Sequence, residues 1–127
     1  MPASLFVSYV YEDLQACQLL RAWAAQGLLG SNVVITGESE DVRQGGDRAV
    51  QRHLSPKLQG ASAVIVLVGN DTHNHGWIEY EAQHALSNHK RVVAVRIPNT
   101  TGAAPQVISR LGLTAMNPAA IRAALGT

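Results

Sequence analysis

Blocks of apolar residues at strand spacing and at helical spacing alternate along this chain. Leu5 to Val10 is short, apolar and partly β-branched, the composition of a buried strand. From Glu12 to Leu28 the apolar residues Leu14, Cys17, Leu20, Ala24 and Leu28 recur at helical spacing. Gly27 and Gly30, with Ser31-Asn32 as turn chemistry, end that segment. Val33 to Thr36 reads as a second strand. A polar stretch runs from Gly37 to Asp47 with Gly45-Gly46 inside it. Arg48 to Leu58 reads as a helix whose last turn Pro56 disturbs. Ala63 to Gly69 is the strongest strand signal, and Asn70 to Asn74 is a polar turn before a third helix, Ile78 to Asn88. Val92 to Ile97 is a fourth strand, stopped by Pro98. Beyond it, Gln106 to Leu111 is a short helix closed by Gly112, and Leu113 to Met116 a short edge strand. Asn117-Pro118 is a helix start, with Asn as cap and Pro at the first helical position. That helix runs from Ala119 to Leu125, with Gly126 as its stop.

Strands that alternate with helices predict an α/β fold: a central parallel sheet of about five strands with helices on both faces. In such folds ligands sit beyond the carboxyl ends of the strands. The length of 127 residues predicts a single domain over 1–127. Its 46% hydrophobic and 15% charged residues describe a globular chain. A net charge of +1 gives no broad basic field, so nucleic acid is not an expected partner. One cysteine, Cys17, excludes an intramolecular disulfide and fits a reducing compartment. Its apolar neighbours Leu14, Leu20 and Ala24 mark it as a small core residue, not a nucleophile. Strand-like sequence begins by Leu5, leaving no room for a secretory signal. No apolar run approaches the roughly 20 residues that span a bilayer. The expectation is a soluble, cytoplasmic domain without a membrane partner.

The most informative segment is Gly76-Trp77-Ile78-Glu79-Tyr80-Glu81, which a strand and a polar turn deliver to the ligand-binding end. On the helix Ile78, Ala82, Ala85 and Leu86 share one stripe, and Glu79 and Glu81 fall on its opposite borders. Two acids so placed cannot face each other as a catalytic pair, and periodicity does not choose between them. The Trp77…Glu81 spacing, an i, i+4 pair, resembles the Trp-x-x-x-Glu signature of Toll/interleukin-1 receptor (TIR) domains. Thr72-His73-Asn74 and the start Leu5-Phe6-Val7-Ser8-Tyr9-Val10-Tyr11-Glu12-Asp13 are similar to the TIR-like family that includes the signal-producing subunit of bacterial Thoeris antiphage systems. The resemblance covers roughly residues 4–97. It implies the flavodoxin-like TIR fold and selects Glu81 as the essential carboxylate.

What the resemblance implies is cleavage of NAD, as substrate and not cofactor, at the nicotinamide–ribose bond. Nicotinamide leaves as a neutral base from a cationic precursor, so no general acid is needed. A carboxylate stabilises the oxocarbenium-like sugar. Capture by water, an adenine nitrogen or another nucleophile then gives ADP-ribose, a cyclic isomer or a conjugate. The turn after the first strand would line the nicotinamide–ribose pocket. Ser8 offers a hydroxyl and Tyr9 or Tyr11 a stacking face, with Tyr9 favoured because it directly follows the serine. Strand alternation puts Ser8 and Val10 on one side and Tyr9 on the other. Asp13 is either a pocket residue or a charge complementing the helix dipole. Trp77 joins the pocket. Gly37 to Asp47 falls where TIR domains carry a mobile loop that gates the site, and Arg43 there is a candidate for the diphosphate.

The five histidines include His73 and His75 one residue apart, but no second cysteine or His-Glu-x-x-His arrangement accompanies them, so no metal is expected. His73 is expected to tie its loop down by hydrogen bonds. The competing reading is a non-catalytic TIR-type interaction module with a structural Glu81. A phosphoacceptor receiver is excluded, because Val68-Gly69-Asn70 stands where its aspartate belongs and no lysine follows the last strand. With no sensor visible in the sequence, activation falls to self-association, a partner or a phage component, and the product would address a nucleotide-sensing effector.

Overall fold

A computed structural model describes residues 3–38, 56–74 and 76–126. Arg43, the glycine pair and the helix expected from Arg48 lie outside the described residues, apart from that helix's end. Five strands form one sheet: β1 (Ala3–Ser8), β2 (Val33–Glu38), β3 (Ala63–Val68), β4 (Arg91–Arg96) and β5 (Thr114–Ala115). Every neighbouring pair is parallel, in the order β2-β1-β3-β4-β5. Four α-helices are described: α1 (Leu14–Ala25), α2 (Pro56–Gly60), α3 (Gly76–Ser87) and α4 (Pro118–Leu125). The expected parallel α/β architecture is therefore the one observed. Among the described residues no helix is long and apolar enough to cross a membrane.

The boundaries depart from the sequence reading in small, physically traceable ways. β2 runs two residues beyond Thr36, through a register shift: Leu5 pairs with Ile35 but Phe6 pairs with Gly37, so Thr36 is the extra residue of a bulge. The helical residues of α2 continue past Leu58 to Gly60. There the Lys90 ammonium donates to the carbonyls of Gln59 and Ala61, at 2.9 and 2.6 Å, supplying positive charge to a helix carboxyl end. The last helix starts as its sequence requires. The Ala120 N–H donates to Asn117 Oδ1 at 2.8 Å, Pro118 follows the cap, and Gly126 closes the helix in the left-handed region at φ 76°.

Strand alternation divides the core in two. Leu5, Val7, Tyr9, Ile65, Leu67, Val93 and Val95 face Cys17 and Leu20 of α1 and Ile121 and Leu125 of α4. Phe6, Val10, Val64, Val66, Val68 and Ala94 face Leu58 of α2, Ile78, Ala82 and Ala85 of α3, and Ile108. All six residues of β3 are buried, as befits the central strand of a sheet covered on both sides.

The strand order contains one switch point. The chain leaves β1 for β2 on one side and returns to β3 on the other. The helix after β1 and the helix after β3 therefore pack on opposite faces. In folds of this class the switch point, beyond the carboxyl ends of β1 and β3, is where the ligand crevice lies.

Candidate active site

Both loops at this crevice are held by short-range hydrogen bonds. After β1 the Asp13 N–H donates to the Val10 carbonyl at 2.8 Å, closing a 3-10 turn over Tyr11–Asp13. After β3 the buried Thr72 does the equivalent work. Its Oγ1 donates to the Leu67 carbonyl at 3.2 Å and accepts from the Gly69 N–H at 2.9 Å. Asn74 Nδ2 donates to Asp71 Oδ1 at 2.6 Å and completes the 3-10 turn Thr72–Asn74. The tie expected of His73 is thus made by Thr72, and His73 is exposed. A hydroxyl four residues beyond the strand end, able to accept and donate at once, was the signal that would have found it.

The loop after β4 braces this turn from the far side. The Thr101 N–H donates to Asn70 Oδ1 at 2.9 Å, Thr100 Oγ1 donates to the Val68 carbonyl at 3.3 Å, and Arg96 donates to the Gly102 carbonyl at 2.6 Å. Gly102 lies so close to Gly69 and Asn70 that a side chain there would strike their backbone. Sequence reading passed over Arg96 and Gly102, because their roles depend on a loop-to-loop approach that no local pattern encodes.

Helix α3 then carries Glu81 to the base of the crevice. Glu81 is 4% exposed and Ser8 0%. The Ser8 hydroxyl donates to Glu81 Oε1 at 2.7 Å, the length of a charge-assisted bond. Glu79, on the other border of the apolar stripe, is only half-buried. Burial and hydrogen bonding therefore single out Glu81 independently of any resemblance. A carboxylate is rarely buried to this extent without a partner that stabilises it.

Asp13 approaches the same crevice from the β1 side. It stands at the cap position of α1 but its side chain makes no capping bond. Its carboxylate lies instead against Gly69, where a Cβ would come within 2.5 Å of it. Asp13 thus reaches the loop after β3, and its place at the N-terminus of α1 also suits a charge complementing the helix dipole.

Tyr9 goes elsewhere. Its ring packs on the α1 face with Cys17 and Leu20, on the opposite side of the sheet from Ser8. The structure does not bring it to Glu81. Burial, then the nearby Cys17 and Glu38, push its hydroxyl up to about 12. Cys17 Sγ donates to Glu38 Oε2 at 3.4 Å, and burial followed by the Glu38 charge pushes the thiol up to about 12. Cys17 is therefore the inert core residue its neighbours predict. Trp77 is the second residue of α3 and Tyr11 the first of the 3-10 turn after β1; their side chains, like Arg43, lie outside the described residues. Among the described residues no group of three or more His, Cys, Asp and Glu side chains is placed to hold a metal ion.

A parallel sheet in this order, with a buried Ser–Glu pair at its switch point, defines a flavodoxin-like domain of the TIR type. The chain belongs to the family of the Thoeris protein ThsB, TIR-like domain, whose family model matches residues 6–102. Over 58 residues it is 28% identical to a Bacillus cereus (strain MSX-D12) protein named "Putative cyclic ADP-D-ribose synthase ThsB1". That stretch covers 46% of this chain and 30% of the relative, so the match spans under a third of the relative's length.

Proposed function

We propose that this chain is an NAD-cleaving enzyme that breaks the nicotinamide–ribose bond and yields an ADP-ribose-derived nucleotide signal in antiphage defence. The observation that carries the reading is Glu81: a carboxylate buried at the switch-point crevice and held by a strand-end hydroxyl. The name of the Bacillus cereus relative, a cyclic ADP-D-ribose synthase, supports the same substrate class.

The chemistry asks little more of the protein. The C–N bond breaks with its electron pair going to the nicotinamide nitrogen, which departs neutral. The ribose is left with oxocarbenium character. Glu81 faces that positive charge and stabilises it, and in a low-dielectric site such stabilisation is worth several-fold more than in water. Asp13, from the opposite loop, contributes a second acidic group suited to ribose hydroxyls. Ser8, Tyr11, Trp77 and Arg43 belong to the proposed pocket on the resemblance alone, apart from the Ser8–Glu81 bond. A pocket closed to water favours capture by a nucleophile within the nucleotide.

Incubation of the purified chain with NAD, followed by chromatography of the products, tests the reading. Nicotinamide and an ADP-ribose-derived product are expected from the wild type, and neither from Glu81→Gln. A folded wild type that leaves NAD intact at every concentration, with or without infected-cell extract, would favour the interaction-module reading.

A further inference from the structure

We propose that Ser8 acts as a positioning residue for Glu81 and does not itself touch the substrate. The inference rests on the NAD-cleaving reading and assigns Ser8 a role different from the pocket hydroxyl that the family resemblance implies. A serine hydroxyl carries one proton. Here that proton is donated to Glu81 Oε1 at 2.7 Å, within a pair that is 0% and 4% exposed. Ser8 cannot also donate to a ribose hydroxyl without releasing Glu81.

The backbone beneath Ser8 is suited to this task. β1 is an interior strand, hydrogen-bonded to β2 and β3, and Ser8, its last residue, is in register with Val66 of the central strand β3. The hydroxyl therefore projects from buried backbone that is paired to the central strand. Glutamate is the opposite, a side chain with three rotatable bonds between the helix backbone and its carboxylate. Electrostatic stabilisation of a transition state works when the charged group is in place before charge develops. The Ser8 hydroxyl transfers the rigidity of the strand to the Glu81 carboxylate. Ile78, Ala82 and Ala85 anchor the helix, but none of them can orient the carboxylate.

A residue that positions and a residue that binds leave different kinetic marks. Ser8→Ala is expected to lower kcat for NAD about 10- to 100-fold, the range typical of partners that orient a functional ligand. KM should stay within about twofold, since no substrate contact is lost. Ser8→Thr, which keeps the hydroxyl, should recover most of kcat. A raised KM with unchanged kcat would make Ser8 a substrate contact and overturn the assignment, as would unchanged kinetics in both respects. A wild type that releases no nicotinamide marks failure of the NAD reading, and a melting cycle then decides the Ser8 assignment. The Tm losses of Ser8→Ala and Glu81→Ala, which removes the acceptor, should be non-additive, with the double variant melting no lower than the less stable single one. Additive losses would show that Ser8 does not hold Glu81.

Discussion

Ser8 and Tyr9 are neighbours in the chain, yet they stand on opposite faces of one sheet, each joined to a polar partner from a helix. Ser8 donates to Glu81 of α3. Tyr9 meets Cys17 of α1, which in turn donates to Glu38 at the end of β2. The difference lies in what the partner is and where its helix begins. Helix α3 starts at the crevice and delivers a carboxylate into it. On the α1 face both buried groups, Tyr9 and Cys17, are kept neutral, their titration pushed up to about 12. The one ion pair among the described residues there, Arg21–Glu38 at 2.9 Å, joins side chains 59% and 29% exposed, a setting in which such pairs contribute little. On the proposed function, the polar group on the α3 face serves chemistry, whereas those on the α1 face serve structure.

Substitutions can break or sharpen that contrast. The largest effect is expected at Glu81. Glu81→Gln should lower NAD turnover at least about 100-fold, as when a preorganised stabilising group is lost, while circular dichroism shows a retained fold. Tyr9→Ala should act on stability instead. It empties a large buried site and should cost about 3–5 kcal/mol in denaturant unfolding, and the fraction that remains folded should keep the wild-type KM. A normal melting curve with a raised KM would move Tyr9 back to the nucleotide.

The third expected effect concerns the brace behind the crevice. Gly102→Ala pushes a methyl group into the backbone of Gly69 and Asn70, and backbone cannot swing aside as a side chain can. A loss of about 1–3 kcal/mol is expected, as for other overpacked sites. Unchanged stability would mean that the two loops separate easily. The smallest effect is a pH dependence of the α1 face. Tyr9 and Cys17 titrate above their ordinary values of 10.0 and 9.0, both at about 12. Folding therefore favours their protonated forms. Their contribution is complete below pH 9 and lost as pH rises from 9 towards 12. Melting temperature should decline over that alkaline window, and Cys17→Ala should flatten the decline. At neutral pH a thiol reagent should leave native Cys17 unmodified.

Much of the fold was legible because β-branched runs and helical stripes kept to separate segments. The five strands, the α4 cap at Asn117 and the Gly126 stop all follow from such local chemistry. The opposite facing of Ser8 and Tyr9 was legible too, since it needs only the strand period. The choice between Glu79 and Glu81 was not. Counting Leu86 as a full member of the stripe centres it between the two acids, whereas Leu86 is only half-buried. The true stripe, Ile78, Ala82 and Ala85, lies nearer Glu81. Nor could sequence reveal which face of β1 meets the crevice, because that depends on the strand order. Asp13 was ambiguous for a related reason: its nearness to Gly69, 56 residues away in the chain, is a tertiary contact that no local pattern encodes.

The central claim is that Glu81, held at the crevice by Ser8, cleaves the nicotinamide–ribose bond. Its most direct test is the release of free nicotinamide from NAD by the purified chain, followed over rising protein concentration beside Glu81→Gln. The account predicts nicotinamide equimolar with an ADP-ribose-derived product, a specific activity that rises with protein concentration as subunits assemble, and no release by the variant. Equal release by wild type and Glu81→Gln would contradict it.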